Sequence, residues 1–251
     1  MKLAFITALA IALLPDYAIA QRALPEAIAR FSSNSAPGWT QPSSQVIYEL
    51  PPAPNPDTPK GNRTPGGSRG GCQQADKQTD KLLTALAPEK STQSLTTAEH
   101  PVFWFYIPDT AQGIHSIEFS LHDRDEKTTL YRTSLQLTKT PGIISIPLPS
   151  SPENSLKLEE SYHWRLIVNC DPKETSENIL ELDGWVKRVQ PNPNFQGVIW
   201  YDEVTKRAKR YLLEPQNPEV KNAWVQLLKS VGLEGLAQAP LISSVSNSKN
   251  D

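Results

Sequence analysis

Tyr162-His163-Trp164-Arg165-Leu166-Ile167-Val168-Asn169-Cys170 alternates with a period of two. Tyr162, Trp164, Leu166, Val168 and Cys170 fall on one face. His163, Arg165 and Asn169 fall on the other, because successive side chains of a strand point to opposite sides. The stretch predicts a strand with one face in a core and one polar face.

The same pattern extends on both sides of it. Val102-Phe103-Trp104-Phe105-Tyr106-Ile107 is apolar on both faces and predicts a central strand covered on two sides. Ile117, Phe119 and Leu121 alternate with Glu118, Ser120 and His122. The charged run His122-Asp123-Arg124-Asp125-Glu126-Lys127 then reads as a turn, with Tyr131, Thr133, Leu135 and Leu137 as its hairpin partner. Pro141-Gly142 is a turn before a strand from Ile143 to Leu148. A last strand runs from about Ile179 to Val189, with Leu180, Leu182 and Val186 inward and Glu181, Asp183, Trp185 and Lys187 opposite. Short strands at this spacing predict a mainly β fold, an immunoglobulin-like or fibronectin-like β-sandwich of seven or eight strands over residues 72–192.

Residues 193–240 change period. Val198, Tyr201, Thr205, Ala208 and Leu212 make one helical stripe over about 195–213. Asn217 is placed to cap a second helix, Pro218 to begin it and Gly232 to end it, with Val220, Ala223, Trp224, Leu227, Leu228 and Val231 on its buried stripe. The pair is too small to bury its own face, so a C-terminal α-helical hairpin packed on the sandwich is expected, with the second apolar face of the Val102–Ile107 strand as the candidate surface. Residues 241–251 read as a disordered polar tail.

Residues 1–20 have the order of a signal peptide: Lys2, an apolar run Leu3–Leu14, and Ala18-Ile19-Ala20 as a small-x-small cleavage site. The run is shorter than the roughly 20 residues of a bilayer span, and no later segment is apolar enough for one. Residues 21–71, rich in Pro and Gly, read as a disordered linker. Within it Gly61 to Cys72 is glycine-rich, but Gly67 stands where a phosphate-binding loop needs lysine, and no strand precedes it. The expected mature chain is exported, to the periplasm or beyond the cell. In an oxidising compartment the two cysteines, Cys72 and Cys170, predict one disulfide, with free or metal-binding thiols as the alternative.

Several of these pieces occur in an order that resembles a known family. They are the Gly66–Cys72 loop, Leu83-Thr84-Ala85-Leu86-Ala87-Pro88, Pro101 to Pro108, Pro141-Gly142-Ile143, Tyr162-His163-Trp164, Cys170-Asp171-Pro172, Gly184-Trp185-Val186-Lys187-Arg188, Ile199-Trp200-Tyr201-Asp202, and Trp224 with Leu227-Leu228. Over about residues 61–240 the chain resembles DUF928, a family of cyanobacterial exported proteins of unknown function. The resemblance implies export and supplies no catalytic residues.

Composition narrows the classes further. The 251 residues carry 25 Lys+Arg against 27 Asp+Glu, a net charge of -2, which argues against a dedicated nucleic-acid binder. The four histidines include no His-x-x-x-His pair, Ser68 in Gly66-Gly67-Ser68-Arg69-Gly70 sits among glycines but lacks the strand-turn-helix frame of a nucleophile elbow, and the His122–Glu126 turn lacks the glycine and distant Glu of an EF-hand. No catalytic residue, metal or cofactor is therefore assigned. Trp185, His163 and Arg165 are the candidate partner-binding residues. The favoured reading of the three is nevertheless as packing groups, with Trp185 anchoring the helical hairpin. The expected function is an exported, non-catalytic binding or assembly module of the cell envelope with a protein partner. The alternatives are a carbohydrate-binding module whose exposed aromatics take polysaccharide, and an envelope hydrolase acting through His163 or the His122 turn.

Overall fold

The structure, a computed structural model, describes residues 61–64, 72, 82–89, 93–109, 111–137, 139–170, 179–242 and 246–247. The expected signal peptide, most of the linker and most of the tail lie outside the described residues. The strands are β1 (Thr84–Ala85), β2 (Gln93–Thr96), β3 (Val102–Ile107), β4 (Ser116–Asp123), β5 (Thr129–Gln136), β6 (Gly142–Pro147), β7 (Ser161–Asn169), β8 (Ile179–Arg188) and β9 (Ser246–Asn247). The helices are α1 (Trp200–Leu213) and α2 (Pro218–Ser230). The protein is mainly β with two C-terminal helices.

The strands form two sheets, of order β1-β3-β6 and β2-β8-β7-β4-β5-β9. Neighbours are antiparallel except β2, which runs parallel to β8. The period-two stretch is β7, at the middle of the larger sheet, and Tyr162, Trp164, Leu166 and Val168 are all buried. The two sheets meet through rings. Phe103 of β3 lies 5.0 Å from Phe119 of β4, and Phe105 lies 5.4 Å, edge-on, from Trp164 of β7. Offset and edge contacts of this kind are the favoured ring geometries.

The double-sided reading of β3 holds: Phe103 and Phe105 face the other sheet, and Trp104 on the opposite face donates from Nε1 to Thr205 Oγ1 of α1 at 3.0 Å. Helix α1 reaches from β3 to β2. Asp202 accepts from the Thr96 hydroxyl at 2.6 Å, from the Thr97 amide at 3.0 Å and from the Thr97 hydroxyl. Tyr201 enters the core and accepts from Trp164 Nε1 at 2.7 Å. The first helix begins at Trp200, five residues later than the stripe suggested, after a turn at Asn192–Phe195. Its buried side is Trp200, Tyr201, Val204 and Ala208, whereas Leu212, expected inward, is exposed. Helix α2 follows its sequence signals. Asn217 Oδ1 accepts from the amides of Glu219 and Val220, and Gly232 takes the positive φ of 71° that a helix C-terminus favours.

Cys72 and Cys170 form the disulfide, with Cα atoms 4.8 Å apart across a sequence separation of 98. Residues 61–64, which the sequence assigned to the linker, pair with the body. Ala85 N donates to Arg63 O at 2.9 Å and Asp183 N to Asn62 O at 3.2 Å. Gly61 permits this, since a Cβ there would lie 2.6 Å from Gly184 Cα. Strand β2 is a further addition. Its buried residues Ser94 and Thr96 are polar, so no hydrophobic alternation announces it.

Candidate functional site

The face of the larger sheet turned away from the core brings together most of the chemistry-bearing residues named by the sequence. Strand register sets His163 of β7 between Trp185 of β8 and His122 of β4, with Thr129 of β5 beyond. The neighbouring row is Asp183, Arg165, Ser120 and Arg132.

His163 is the centre. Its ring stacks on Trp185 at a centroid distance of 4.5 Å and an interplanar angle of 12°. Nδ1 lies 2.8 Å from Glu126 Oε1 and Nε2 lies 2.9 Å from Asp183 Oδ2. An ionised carboxylate only accepts, so both contacts are hydrogen bonds when both ring nitrogens carry protons, which favours the imidazolium form. Burial opposes this charge, but the hydrogen bonds and attraction of Asp183 and Glu126 outweigh it and hold the pKa above its ordinary 6.5. Burial likewise pushes Asp183 up, and the bonds from His163 and Asn62 outweigh that, leaving it below its ordinary 3.8.

The two carboxylates arrive by different routes. Glu126 sits at the β4–β5 turn with φ of 55°, a left-handed conformation that costs a non-glycine residue roughly 1–2 kcal/mol. The turn is fixed by Asp123, whose Oδ1 accepts from the Lys127 amide at 2.8 Å. Asp183 also accepts through Oδ1 from the Asn62 backbone at 3.0 Å and from Asn62 Nδ2 at 2.9 Å. One carboxylate thus joins the buried histidine to the Gly61–Thr64 segment.

His122 has the opposite surroundings. Its Nε2 meets Ser120 Oγ at 2.9 Å and its Nδ1 meets Thr129 Oγ1 at 3.1 Å, two hydroxyls that suit a neutral ring. Burial lowers its pKa, opposed by Glu126 and reinforced by Arg132, Arg165 and His163. A Ser–His contact is the beginning of a nucleophilic pair. Here the orienting position holds a hydroxyl instead of a carboxylate, and Ser120 and His122 are both buried, at 4% and 8% exposure.

Among the three candidate residues, the structure sets Trp185 and His163 in contact and buries both, at 7% and 9% exposure. Their ring faces are spent on each other and on the surrounding protein, so they offer no platform to a sugar. Trp185 lines a cavity of about 20 Å³ with Gly61, Arg63, Pro88 and Glu89. That is room for about one water. Arg165 remains accessible, paired with Glu181 through Nε at 2.7 Å. The sequence reading did not single out Glu126, Asp183, Asn62 or Ser120 as members of this cluster. Asp183 was legible as the outward neighbour of Trp185, two positions away. Glu126 was not, because its reach depends on the turn. Among the described residues no three His, Cys, Asp or Glu side chains gather as a metal site.

The clamp makes a pH prediction. A raised His163 pKa stabilises the fold fully below about 6.5, and the contribution is lost as pH rises through the folded value. Buried neutral His122 acts with the opposite sign, since its protonation in the unfolded chain disfavours folding as pH falls. Melting temperatures across this range should therefore decline on the alkaline side in the parent but not in His163→Gln. The same alkaline decline in both proteins would remove the clamp from the account.

A family model described as Domain of Unknown Function (DUF928) matches residues 64–241. No curated protein and no solved structure matches the chain.

Proposed function

Because the chain belongs to the DUF928 family, whose function is unknown, we propose its role from its own chemistry: an exported, non-catalytic binding or assembly module of the cell envelope. The observation that carries this reading is the state of the sheet-face histidines. His163 is engaged at both ring nitrogens by carboxylates, so neither nitrogen faces an open site from which to act as a base. His122 is occupied by two hydroxyls and buried. Both are used to fix the sheet and its turn. The export half of the proposal rests on the order of signals in residues 1–20 and on a disulfide suited to an oxidising compartment.

We read the sheets as an immunoglobulin-like sandwich. The pairings that support it are a three-stranded antiparallel sheet facing a larger one in which β7 lies between β4 and β8. The proposed partner is an envelope protein that docks on the charged outer face around Arg165–Glu181 and Glu118–Arg132. These pairs are exposed and contribute at most about 1 kcal/mol each to folding. They can therefore be altered without unfolding the domain.

The test is a crosslinked pull-down of the tagged chain from an envelope fraction, with Arg165→Glu as the variant. A reproducible protein captured by the parent and reduced by roughly tenfold or more with Arg165→Glu supports the docking face, in line with truncation costs at central interface charges. Equal capture by both removes that face. Polysaccharide without protein would favour a carbohydrate-binding module, through aromatics other than the buried Trp185–His163 pair.

A further inference from the structure

We propose that the exposed face of α1, near its C-terminal end, is a docking surface for an anionic phospholipid bilayer. Lys206, Lys209, Arg210 and Leu213 are spaced i, i+3, i+4 and i+7, so they form one stripe, and all four are exposed. Leu213 is 82% exposed and its neighbour Leu212 37%. The stripe thus presents three cations leading to an apolar end, beside the α1–α2 turn. The apolar side of α1 is packed on the protein, so the contact is electrostatic first, with lysine ammonium groups at the phosphates, their stems along the apolar boundary, and Leu213 at that boundary.

The cations differ in how far they are committed. Arg207, on the flank, is used internally: its Nε bonds Glu203 at 2.5 Å and its Nη1 bonds the Ala223 carbonyl at 3.1 Å. Arg210 has an exposed and longer pair with Glu214, at 3.5 Å. Among the described residues, no hydrogen bond or ion pair engages Lys206 or Lys209. Beside the stripe, a groove of about 130 Å³ is lined by Glu203, Lys206, Arg207, Arg210, Val220 and Ala223. Glu203 is paired with Arg207, so the lining keeps a net positive charge for a phosphate headgroup, and Leu213 offers the exposed apolar contact to an acyl segment. Neither described helix is long and apolar enough to cross a membrane, so the contact proposed is peripheral.

The sheet-face docking site is separate, so this proposal stands or falls independently of it. The test is sedimentation of the purified chain with vesicles of phosphatidylcholine alone or mixed with phosphatidylglycerol, at low and high salt. The expected result is binding to the anionic vesicles that weakens with salt. The double variant Lys206→Glu/Lys209→Glu should bind at least about tenfold more weakly, since each basic residue near such a surface contributes about fivefold. Leu213→Ser should lose about fivefold through the apolar contact. Lys221→Glu, an exposed α2 substitution, should bind within about twofold of the parent and so separates the stripe from net charge. All variants are prepared as the mature chain from residue 21, and unchanged melting curves verify that each is folded. Equal binding to neutral and anionic vesicles, no vesicle binding, or parent-like binding by the double variant would overturn the proposal.

Discussion

Trp164→Ala is expected to lower stability by about 3–5 kcal/mol, the range for removing a large buried aromatic. For a domain of this size that is a fall in melting temperature of roughly 6–20 °C. Trp164 is 2% exposed and lies at the meeting point of both sheets and α1. Its ring contacts Phe103 and Phe105, its face covers Gly184, and its Nε1 supplies the hydrogen bond to buried Tyr201. Alanine would leave a cavity and an unpartnered phenol together. Trp164→Phe divides these effects, since it keeps most of the packing and removes the donor. It should cost less, about 1–3 kcal/mol for the unsatisfied partner, with some loss from the smaller ring. Melting curves for the two variants measure both parts, and parent-like curves would remove Trp164 from the centre of the core.

Removal of the disulfide by Cys72→Ser/Cys170→Ser is expected to cost about 2–4 kcal/mol. The argument concerns the unfolded chain. Bridging residues 98 apart restricts a long loop, for which chain entropy allows up to about 4.7 kcal/mol. Denaturant unfolding should show a lower midpoint, and a steeper dependence on denaturant as the unfolded chain expands. Parent protein unfolded with reductant should reproduce the curve of the double variant. Coincident midpoints for oxidised parent and double variant would show that the bridge contributes nothing.

The sheet core was legible because its inward positions are apolar and alternate. Phe119, Leu166 and Leu182 are each fully buried where period two puts them. Helix α2 was legible because Asn217, Pro218 and Gly232 each have a conformational reason to occupy their places. What escaped was whatever depends on polar groups meeting across the sequence. Strand β2 presents Ser94 and Thr96 inward, and Thr96 is satisfied by Asp202, 106 positions away. The candidate site followed the same division. The alternation placed His163, Arg165 and Trp185 on the outer face, but not which of them would be covered. His163 is held there by a turn residue in a left-handed conformation and by Asp183 of the neighbouring strand, 20 positions away. No hydrophobic pattern encodes either contact.

The disulfide also decides how the molecule would transmit a pull. Tension applied between the segment before Cys72 and the segment after Cys170 passes through the sulfurs. The chain between them, which includes β1 to β7, forms a closed covalent ring and is excluded from the extending contour. Among the described strands and α-helices, β8, β9, α1 and α2 lie outside the ring, so these are the elements a stretching force can peel. The Asn62–Asp183 hydrogen bonds are placed to resist first, because they join the leading segment directly to β8. Seven strands, with Trp164 among them, stay within a fixed covalent perimeter while the periphery yields.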